Sequence, residues 1–97
     1  MSCFLLATLN IHDRDGYAEY EQGFMAVFQQ YEGIMLCVDE QPHVLEGEWP
    51  YTRTVLIRFP DTEHAMAWYE SEAYQQLMKF RTAASVGNVV RLQGFDA

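Results

Sequence analysis

The sequence predicts an α+β fold in which an antiparallel sheet carries its helices on one face, in the order β-α-β-β-α-β. Three observations support this prediction. The chain has 97 residues, which suits one domain spanning residues 1–97. Two long segments repeat large apolar residues at helical spacing, and shorter apolar or alternating segments are typical of strands. Gly, Pro and Asp residues separate these segments and mark the turns.

The N-terminal third of the chain predicts a buried strand followed by a long amphipathic helix. Cys3 to Leu9 is apolar except for Thr8, as in a strand that is covered on both faces. Asp13 is expected to cap the next helix, which is predicted from Arg14 to Tyr31. Gly33 is expected to end this helix. Its apolar stripe consists of Tyr17, Tyr20, Phe24, Val27, Phe28 and Tyr31.

The middle of the chain predicts a second strand and then a hairpin. Ile34 to Val38 forms the second strand. His43 to Glu48 alternates loosely between polar and apolar residues, whereas Thr52 to Phe59 alternates clearly. Trp49-Pro50-Tyr51 lies between these two segments, which predicts a hairpin with a proline in its loop.

The C-terminal part predicts a broken helix and a last strand. A helix is expected from Asp61 to about Glu70. Ser71 can cap a fresh start, and Glu72 to Ala84 is predicted to be helical again. Gly87 is expected to break this helix before a strand from Asn88 to Phe95. The resulting order of elements is the ferredoxin-like pattern.

The apolar content predicts a homodimer. The helices can cover only one face of the sheet, whereas the first strand is apolar on both faces. The chain has 49% hydrophobic residues, among them 2 Trp, 6 Tyr and 6 Phe, which is a large apolar inventory for so small a protein. The simplest cover for the second face is the same face of another copy. We therefore expect a two-fold dimer whose sheets form a dimeric α/β barrel.

Composition and motifs exclude several classes of partner. The net charge of −8, from 14 acidic and 6 basic residues, would repel nucleic acid and anionic membrane surfaces. The apolar N-terminal run is too short to span a bilayer, so we expect a cytoplasmic protein.

The two cysteines, Cys3 and Cys37, do not make a disulfide framework. The sequence shows no phosphate-binding loop, nucleophile elbow or metal-binding motif, so neither a cofactor nor a metal is predicted.

His43 is the one histidine that we nominate as a catalytic base. It precedes Glu46 and Glu48, and a histidine with two carboxylates could bind a metal or transfer protons. In a regular strand, however, Glu46 and Glu48 share one face and His43 points to the other. A solvated edge strand, whose charges discourage further pairing, explains the three residues better.

The broken helix contributes a first group of candidate ligand contacts. Tyr74 and Arg81 are seven residues apart, so they lie on one helical face, and Trp68 precedes them. Together they could orient an aromatic or oxygenated substrate. A core or interface cluster, in which each hydroxyl finds a backbone acceptor, explains the same residues.

The predicted hairpin contributes two more candidates. Arg58 lies on the strand face opposite Val55, Ile57 and Phe59, so we expect it to point into the dimer barrel. A guanidinium there needs a carboxylate, either from Glu46 or Glu48 or from a ligand. Trp49 could line an apolar pocket, or it could pack against the partner subunit, where aromatic residues are enriched.

Several segments carry a resemblance to a known family. They are LEGEWP, a strand that ends in FPD, the run AWYESEAYQQLMKFRTAAS and a strand that ends in GF. The matching residues are Leu45, Glu46, Gly47, Trp49, Phe59, Pro60, Trp68, Tyr69, Ser71, Tyr74 and Arg81. Over nearly its whole length the chain resembles a bacterial family of small proteins with no assigned activity, domain-of-unknown-function family 1330. The resemblance implies the dimeric α/β-barrel fold, and it transfers no catalytic residue.

Two positions depart from the pattern of that family. Asp61 stands where the family has serine, and aspartate also caps a helix. Val38-Asp39-Glu40-Gln41 is acidic where the family often has arginine and glycine. If relatives bind an anion in this region, the same anion is not expected here.

Two functional hypotheses follow. In the first, a homodimer binds a small, largely apolar organic ligand between sheet and helices or at the dimer seam. Its enzymatic version is a cofactor-independent isomerase or oxygenase. In the second, the protein is a non-catalytic structural or interaction module whose aromatic residues serve only dimerisation. A pocket of roughly 300 Å³ or more would favour the first hypothesis, and a filled interior would favour the second.

Overall fold

The protein folds as a four-stranded sheet with helices packed on one of its faces. The computed structural model describes residues 1–95. Within that range the elements are β1 (Cys3–Ile11), α1 (Arg14–Phe28), β2 (Ile34–Asp39), β3 (Arg53–Phe59), α2 (Thr62–Glu70), α3 (Glu72–Ala84) and β4 (Ser85–Gln93). A short 3₁₀ turn, Gln29–Tyr31, extends α1. No helix in these residues is long and apolar enough to cross a membrane.

The sheet has the strand order β2-β3-β1-β4, and each neighbouring pair is antiparallel. β1 therefore has partners along both edges, and its first residue, Cys3, lies opposite Phe59 of β3 and Gln93 of β4. β2 lies at one edge of the sheet and carries a bulge between Met35 and Cys37. This arrangement confirms the predicted α+β, ferredoxin-like pattern.

The two faces of β1 have different surroundings. Leu5 and Leu9 point toward the helices and are buried. Residues that lie opposite each other in an antiparallel pair share a face, so Ile57 of β3 joins Leu5 in the core. Phe4 and Leu6 point the other way. With their neighbours on adjacent strands they form the open face, which includes Phe4, Leu6, Ile34, Leu56, Arg58, Val86, Val90 and Leu92, together with Cys37, Thr8, Thr54 and Asn88.

An aromatic cluster fills one part of the space between sheet and helices. Phe28 of α1 and Phe59 of β3 are fully buried, with ring centroids 5.5 Å apart. Both rings also contact Trp68 of α2, at 5.9 and 5.4 Å. Each such aromatic pair contributes about 0.5–1.5 kcal/mol beyond the area that it buries. The cluster therefore fixes α1 and α2 against β3.

The first two predicted helix caps are formed. The Asp13 carboxylate accepts a hydrogen bond of 3.1 Å from the backbone N–H of Gly16. The Asp61 carboxylate accepts one of 2.8 Å from the N–H of His64. Each cap satisfies an N–H that has no partner within its helix, and such a cap is worth about 1 kcal/mol.

The third cap, Ser71, joins α2 to α3. Its hydroxyl donates to the carbonyl oxygen of Trp68 at 2.7 Å and accepts from the backbone N–H of Tyr74 at 3.1 Å. One side chain thus ends the first helix and starts the second. This confirms the predicted break, and it sets Trp68 and Tyr74 on either side of one fixed turn.

The predicted hairpin between His43 and Phe59 is wrong in its first strand. Residues 40–52 form no strand and connect β2 to β3 as an irregular segment, with Gly47 at a φ of 83°. Pro42 and Pro50 lack the backbone N–H that a ladder requires. Trp49 instead bends toward the sheet, where its Nε1 donates to the Thr54 hydroxyl at 2.8 Å.

Three boundaries also differ from the prediction. The first α-helix ends at Phe28 rather than Tyr31, and Glu32, not Gly33, adopts the left-handed conformation, with a φ of 61°. The third helix ends at Ala84 as predicted, but β4 begins directly at Ser85 rather than at Asn88, and it ends at Gln93 rather than at Phe95. Gly87 therefore lies inside a strand instead of ending a helix. It lies opposite Leu9, and a methyl group at this position would overlap the backbone carbonyl oxygen of Thr8.

We expect Gly87→Ala to destabilise the protein by about 1–3 kcal/mol, because the new methyl group forces β4 away from β1. Strand propensity alone predicts the opposite sign, a gain of about 0.5–1 kcal/mol. Urea unfolding of the variant and the native chain decides between the two. Arg91→Ala, at an exposed position of the same strand, is the control and should change stability by less than about 0.5 kcal/mol. A gain for Gly87→Ala would contradict the close approach.

Candidate functional site

A pocket lies between the helix-facing side of the sheet and helices α1, α2 and α3. Its cavity volume is about 170 Å³, and all the empty space of the pocket, solvent-open space included, amounts to about 770 Å³. The smaller value describes the space that a bound group can fill. The walls are mostly apolar, with Phe24 and Met25 on the α1 side and Met35 on the β2 side.

The pocket exists because the sheet carries small side chains where the helices span it. Ala7 of β1 lies opposite Val55 of β3 and Val89 of β4, and all three residues line the pocket. The rung on one side of this row is larger, since Leu5 is paired with Ile57. A row of short side chains below two helices leaves space that the neighbouring leucines cannot fill.

Polar groups from the helices converge on one wall of the pocket. The hydroxyls of Tyr20 and Tyr74 are 2.8 Å apart and share a hydrogen bond. The Tyr74 ring stacks on Trp68 with a centroid separation of 4.0 Å. The Nε1 of Trp68 is buried and has no hydrogen-bond partner among residues 1–95. The hydroxyl bond and the ring contact hold the side chains of Tyr20, Tyr74 and Trp68 together on this wall.

Arg81 completes this wall. Its side chain comes from α3, only 9% of the residue is exposed, and its Nε has no hydrogen-bond partner among the described residues. The guanidinium carbon lies 5.9 Å from the centroid of the Tyr20 ring. Burial acts to lower the pKa of Arg81, but Tyr74 and Tyr20 outweigh it and the pKa lies above its ordinary value. The pocket thus contains a permanent positive charge.

A second arginine, Arg53 of β3, also lines the pocket, but it is neutralised. Its Nη2 is 3.4 Å from Glu21 and its Nη1 is 3.3 Å from Glu40. Glu40 in turn pairs with Arg14 at 2.7 Å, and hydrogen bonds from Arg14 and then Arg53 lower its pKa. The guanidinium of Arg53 also lies over the Tyr17 ring, at 5.3 Å. The two arginines of the pocket therefore differ: one has carboxylate partners and the other has tyrosines.

The structure brings three of the predicted site residues together and separates the others. Trp68, Tyr74 and Arg81 all line the pocket. Arg58 lies on the open face, opposite Phe4 and Ile34, and neither Glu46 nor Glu48 forms an ion pair with it in the described chain.

Trp49 and His43 also lie outside the pocket. Trp49 is 41% exposed and contacts Tyr51 and Thr54. His43 is exposed in the segment that connects β2 to β3. Among residues 1–95, no group of three or more His, Cys, Asp or Glu side chains is arranged to hold a metal ion.

Sequence reasoning missed four polar residues of the pocket. Tyr17 and Tyr20 belong to the apolar stripe of α1, and their spacing predicts only that they pack in the core. Tyrosine at these positions, instead of leucine or phenylalanine, indicates a polar contact in the interior, because a buried hydroxyl needs a partner. Arg53 shares the alternation of Val55 and Ile57, so the same period places it toward the helices. Glu21 carried no signal, since it lies in a charged stretch of the helix.

The chain belongs to the family described as Domain of unknown function (DUF1330), whose model matches residues 2–95. No curated protein matches the chain. A solved protein of unknown function from Rhodopseudomonas palustris is similar in structure, with a TM-score of 0.82 and 16% identity. That comparison covers 99% of this chain and 84% of the other.

Two further solved structures share the fold. A protein from Jannaschia sp. CCS1, described as dimeric, ferredoxin-like and of unknown function, has a TM-score of 0.70 and 16% identity, over 97% of this chain and 100% of the other. SnoaB, a cofactor-independent oxygenase from Streptomyces nogalater, has a TM-score of 0.68 and 11% identity, over 99% of this chain and 95% of the other. At such identities the likeness concerns the fold alone.

We expect the hydroxyl pair to make stability sensitive to alkaline pH. Burial, followed by the contact with Tyr74, raises the pKa of Tyr20 well above its ordinary value. Its stabilising contribution is therefore complete below the unfolded pKa of about 10 and is lost as the pH rises toward the native pKa. Tyr20→Phe should cost about 0.5–1.5 kcal/mol at neutral pH. It should also reduce the loss of stability above pH ~10.

Urea unfolding at neutral pH and about one unit above pH 10 measures both effects. Ultraviolet titration of the native protein, with the urea-unfolded chain as its reference, follows the tyrosine ionisation directly. An equally steep alkaline loss in Tyr20→Phe and in the native chain would contradict the assignment.

Proposed function

We propose that the protein is a homodimer that binds a small, largely apolar organic molecule in the pocket between sheet and helices. The observation that carries the proposal is the pocket wall formed by Tyr20, Tyr74 and Arg81, where polar groups converge in an otherwise apolar space. Pockets of this composition bind small molecules in many proteins, because apolar walls supply affinity and a few polar groups supply orientation.

The size of the pocket narrows the ligand. Drug-sized molecules occupy pockets of roughly 300–1,000 Å³. The cavity of about 170 Å³ is smaller than the size expected for the ligand hypothesis, so the proposal rests on the composition of the polar wall and not on the volume. An engineered apolar cavity of about 150 Å³ holds benzene. The enclosed volume therefore suits a single aromatic ring, and a longer ligand would extend into the open mouth. Phe24, Trp68 and Tyr74 offer ring faces and edges to such a group.

The proposed dimer rests on the open face. Val90 and Leu92 of β4 are 45% and 43% exposed, and Phe4 and Leu6 beside them are only partly buried. The same face of a second copy would bury these side chains. The protein from Jannaschia is described as a dimer of the same fold, which supports this assembly. Arg58 and Trp49 would then belong to the dimer interface or to its rim.

The enzymatic version of the proposal is a cofactor-independent oxygenase or isomerase, and the fold of SnoaB motivates it. Such chemistry needs a base within reach of the substrate. His43 is exposed and outside the pocket lining, so Glu21 takes its place as the nearest carboxylate. The Oε2 of Glu21 lies 3.4 Å from Nη2 of Arg53. The alternative, a module without a ligand, leaves the buried donors of the pocket unexplained.

Filling the pocket tests ligand binding. In Ala7→Leu the new side chain occupies the floor of the pocket, and we expect toluene and phenol to bind at least about tenfold more weakly than to the native protein. Ala26→Leu, on the exposed side of α1, is the matched control and should bind both compounds normally. Isothermal titration calorimetry of each variant gives the affinities. Native protein that binds neither compound, and carries no small molecule in native mass spectrometry, would favour the non-catalytic module.

A charge on the open face tests the dimer. In Val90→Glu the two-fold axis would bring two carboxylates into one apolar interface, so we expect the dimer to dissociate at least about tenfold more readily. Lys79→Glu, on an exposed position of α3, makes a larger change in net charge and should leave the dimer intact. Light scattering coupled to size-exclusion chromatography reports the mass. A native protein that is monomeric at all concentrations would overturn the proposed assembly.

A further inference from the structure

We infer, on the basis of the proposed binding function, that the ligand of the pocket is an aromatic monocarboxylate whose carboxylate group contacts Arg81, Tyr20 and Tyr74. The apolar walls would hold the ring, and the polar wall would hold the acid. Three properties of the polar wall lead to this chemical class: its charge, its surplus of donors and its single uncompensated cation.

The charge of the pocket is the first property. A buried guanidinium is normally paired with a carboxylate, because an isolated charge is costly to remove from water. The chain has 14 acidic residues against 6 basic ones, so partners are abundant. Nevertheless, no carboxylate of residues 1–95 forms an ion pair with Arg81. Tyr74 is a hydrogen-bond partner of Arg81, but a neutral hydroxyl does not compensate its charge. In so acidic a protein, a nine-tenths buried arginine without a carboxylate partner indicates an anion that comes from outside the chain.

The surplus of donors is the second property. The two hydroxyls of Tyr20 and Tyr74 carry two protons, and their mutual hydrogen bond uses only one of them. The Nε of Arg81 and the Nε1 of Trp68 also have no hydrogen-bond partner among the described residues, but both atoms are fully buried and are not counted among the donors that face the pocket. Glu21, the one carboxylate among the described lining residues, already forms an ion pair with Arg53. The spare hydroxyl proton and the guanidinium therefore complement a group that accepts hydrogen bonds.

The single uncompensated cation is the third property, and it distinguishes a carboxylate from more highly charged groups. Arg53 is balanced by Glu21 and Glu40, so Arg81 alone contributes net charge to the pocket. One positive charge matches a monoanion, whereas a phosphate would carry a second, unmatched charge into an apolar space. A guanidinium also matches the planar geometry of a carboxylate with two parallel hydrogen bonds. The net charge of −8 opposes the approach of an anion mainly over long distances, and salt screens this repulsion.

Benzoate and its neutral isostere benzamide test the inference. Both have one ring and similar shape, but only benzoate is an anion. We expect the native protein to bind benzoate at least about tenfold more tightly than benzamide at neutral pH. In Arg81→Met, which removes the cation and keeps an apolar stem, this preference should disappear. Arg81→Lys should keep a reduced preference, because it retains the charge but not the planar fork. Arg91→Gln, at an exposed position of β4, should keep the full preference.

Thermal unfolding without ligand distinguishes an anion-binding arginine from a structural one. Replacing a structural arginine would lower the Tm. If the partner of Arg81 is a bound anion, Arg81→Met removes a buried charge that has no carboxylate partner in the free protein. The Tm of this variant should then equal or exceed that of the native chain. A clearly lower Tm, or failure to fold, would overturn the inference by showing that Arg81 supports the structure itself.

The binding outcomes separate the two proposals. Equal affinity for benzoate and benzamide overturns the inferred carboxylate but leaves the proposed ligand site in place. Persistence of the preference in Arg81→Met also overturns the inference, because the anion would then be held elsewhere. If benzoate, benzamide, toluene and phenol all fail to bind, both the proposed function and the inference are overturned.

Discussion

The position of β1 inside the sheet is the constraint on which the rest of the structure depends. β1 is paired along both edges, so it cannot move without breaking its ladders to β3 and β4. Leu5 and Leu9 on one face anchor the helices, and Phe4 and Leu6 on the other face require a cover of their own. Ala7 lies between the two leucines and opens the pocket. A single nine-residue strand therefore fixes the core, leaves room for a ligand and demands a second apolar surface.

The geometry of the polar wall depends on the break between α2 and α3. In a continuous helix Trp68 and Tyr74 would point in directions about 120° apart around its axis. The turn at Ser71 instead lets the two rings stack at 4.0 Å, with the Tyr74 hydroxyl turned toward Tyr20 of α1. Three separate helices thus contribute to one small cluster. Because each ring is held by its neighbours, the donors of the cluster are oriented before any ligand arrives, which lowers the entropy cost of binding.

The sequence predicts the fold well because the strands and helices have distinct apolar periods. The apolar or alternating patterns indicate the strands from Cys3 to Leu9 and from Thr52 to Phe59. The helix starts are indicated by capping residues, which are Asp13, Asp61 and Ser71. The site is harder to predict. The sequence predicts Trp68, Tyr74 and Arg81 as site residues because one helix carries two of them. Their contact with Tyr20 depends on how α1 packs across α3, which the sequence does not show.

Other parts of the prediction failed for identifiable physical reasons. The alternation from His43 to Glu48 resembles a strand, yet the prolines on either side and the bond from Trp49 to Thr54 favour an irregular path. Gly87 is typical of a helix end in sequence, but its role depends on the approach of β1, which no local pattern records.

The bulge between Met35 and Cys37 has a consequence for solubility. β2 is an edge strand, so one row of its backbone N–H and C=O groups has no partner strand in the described sheet. Ile34, Leu36 and Val38 are exposed on it, and a flat edge with such residues would recruit strands from other molecules. The bulge bends the edge and interrupts its hydrogen-bonding register, so a straight strand cannot pair along its whole length. The irregularity thereby protects an apolar edge from sheet-to-sheet polymerisation.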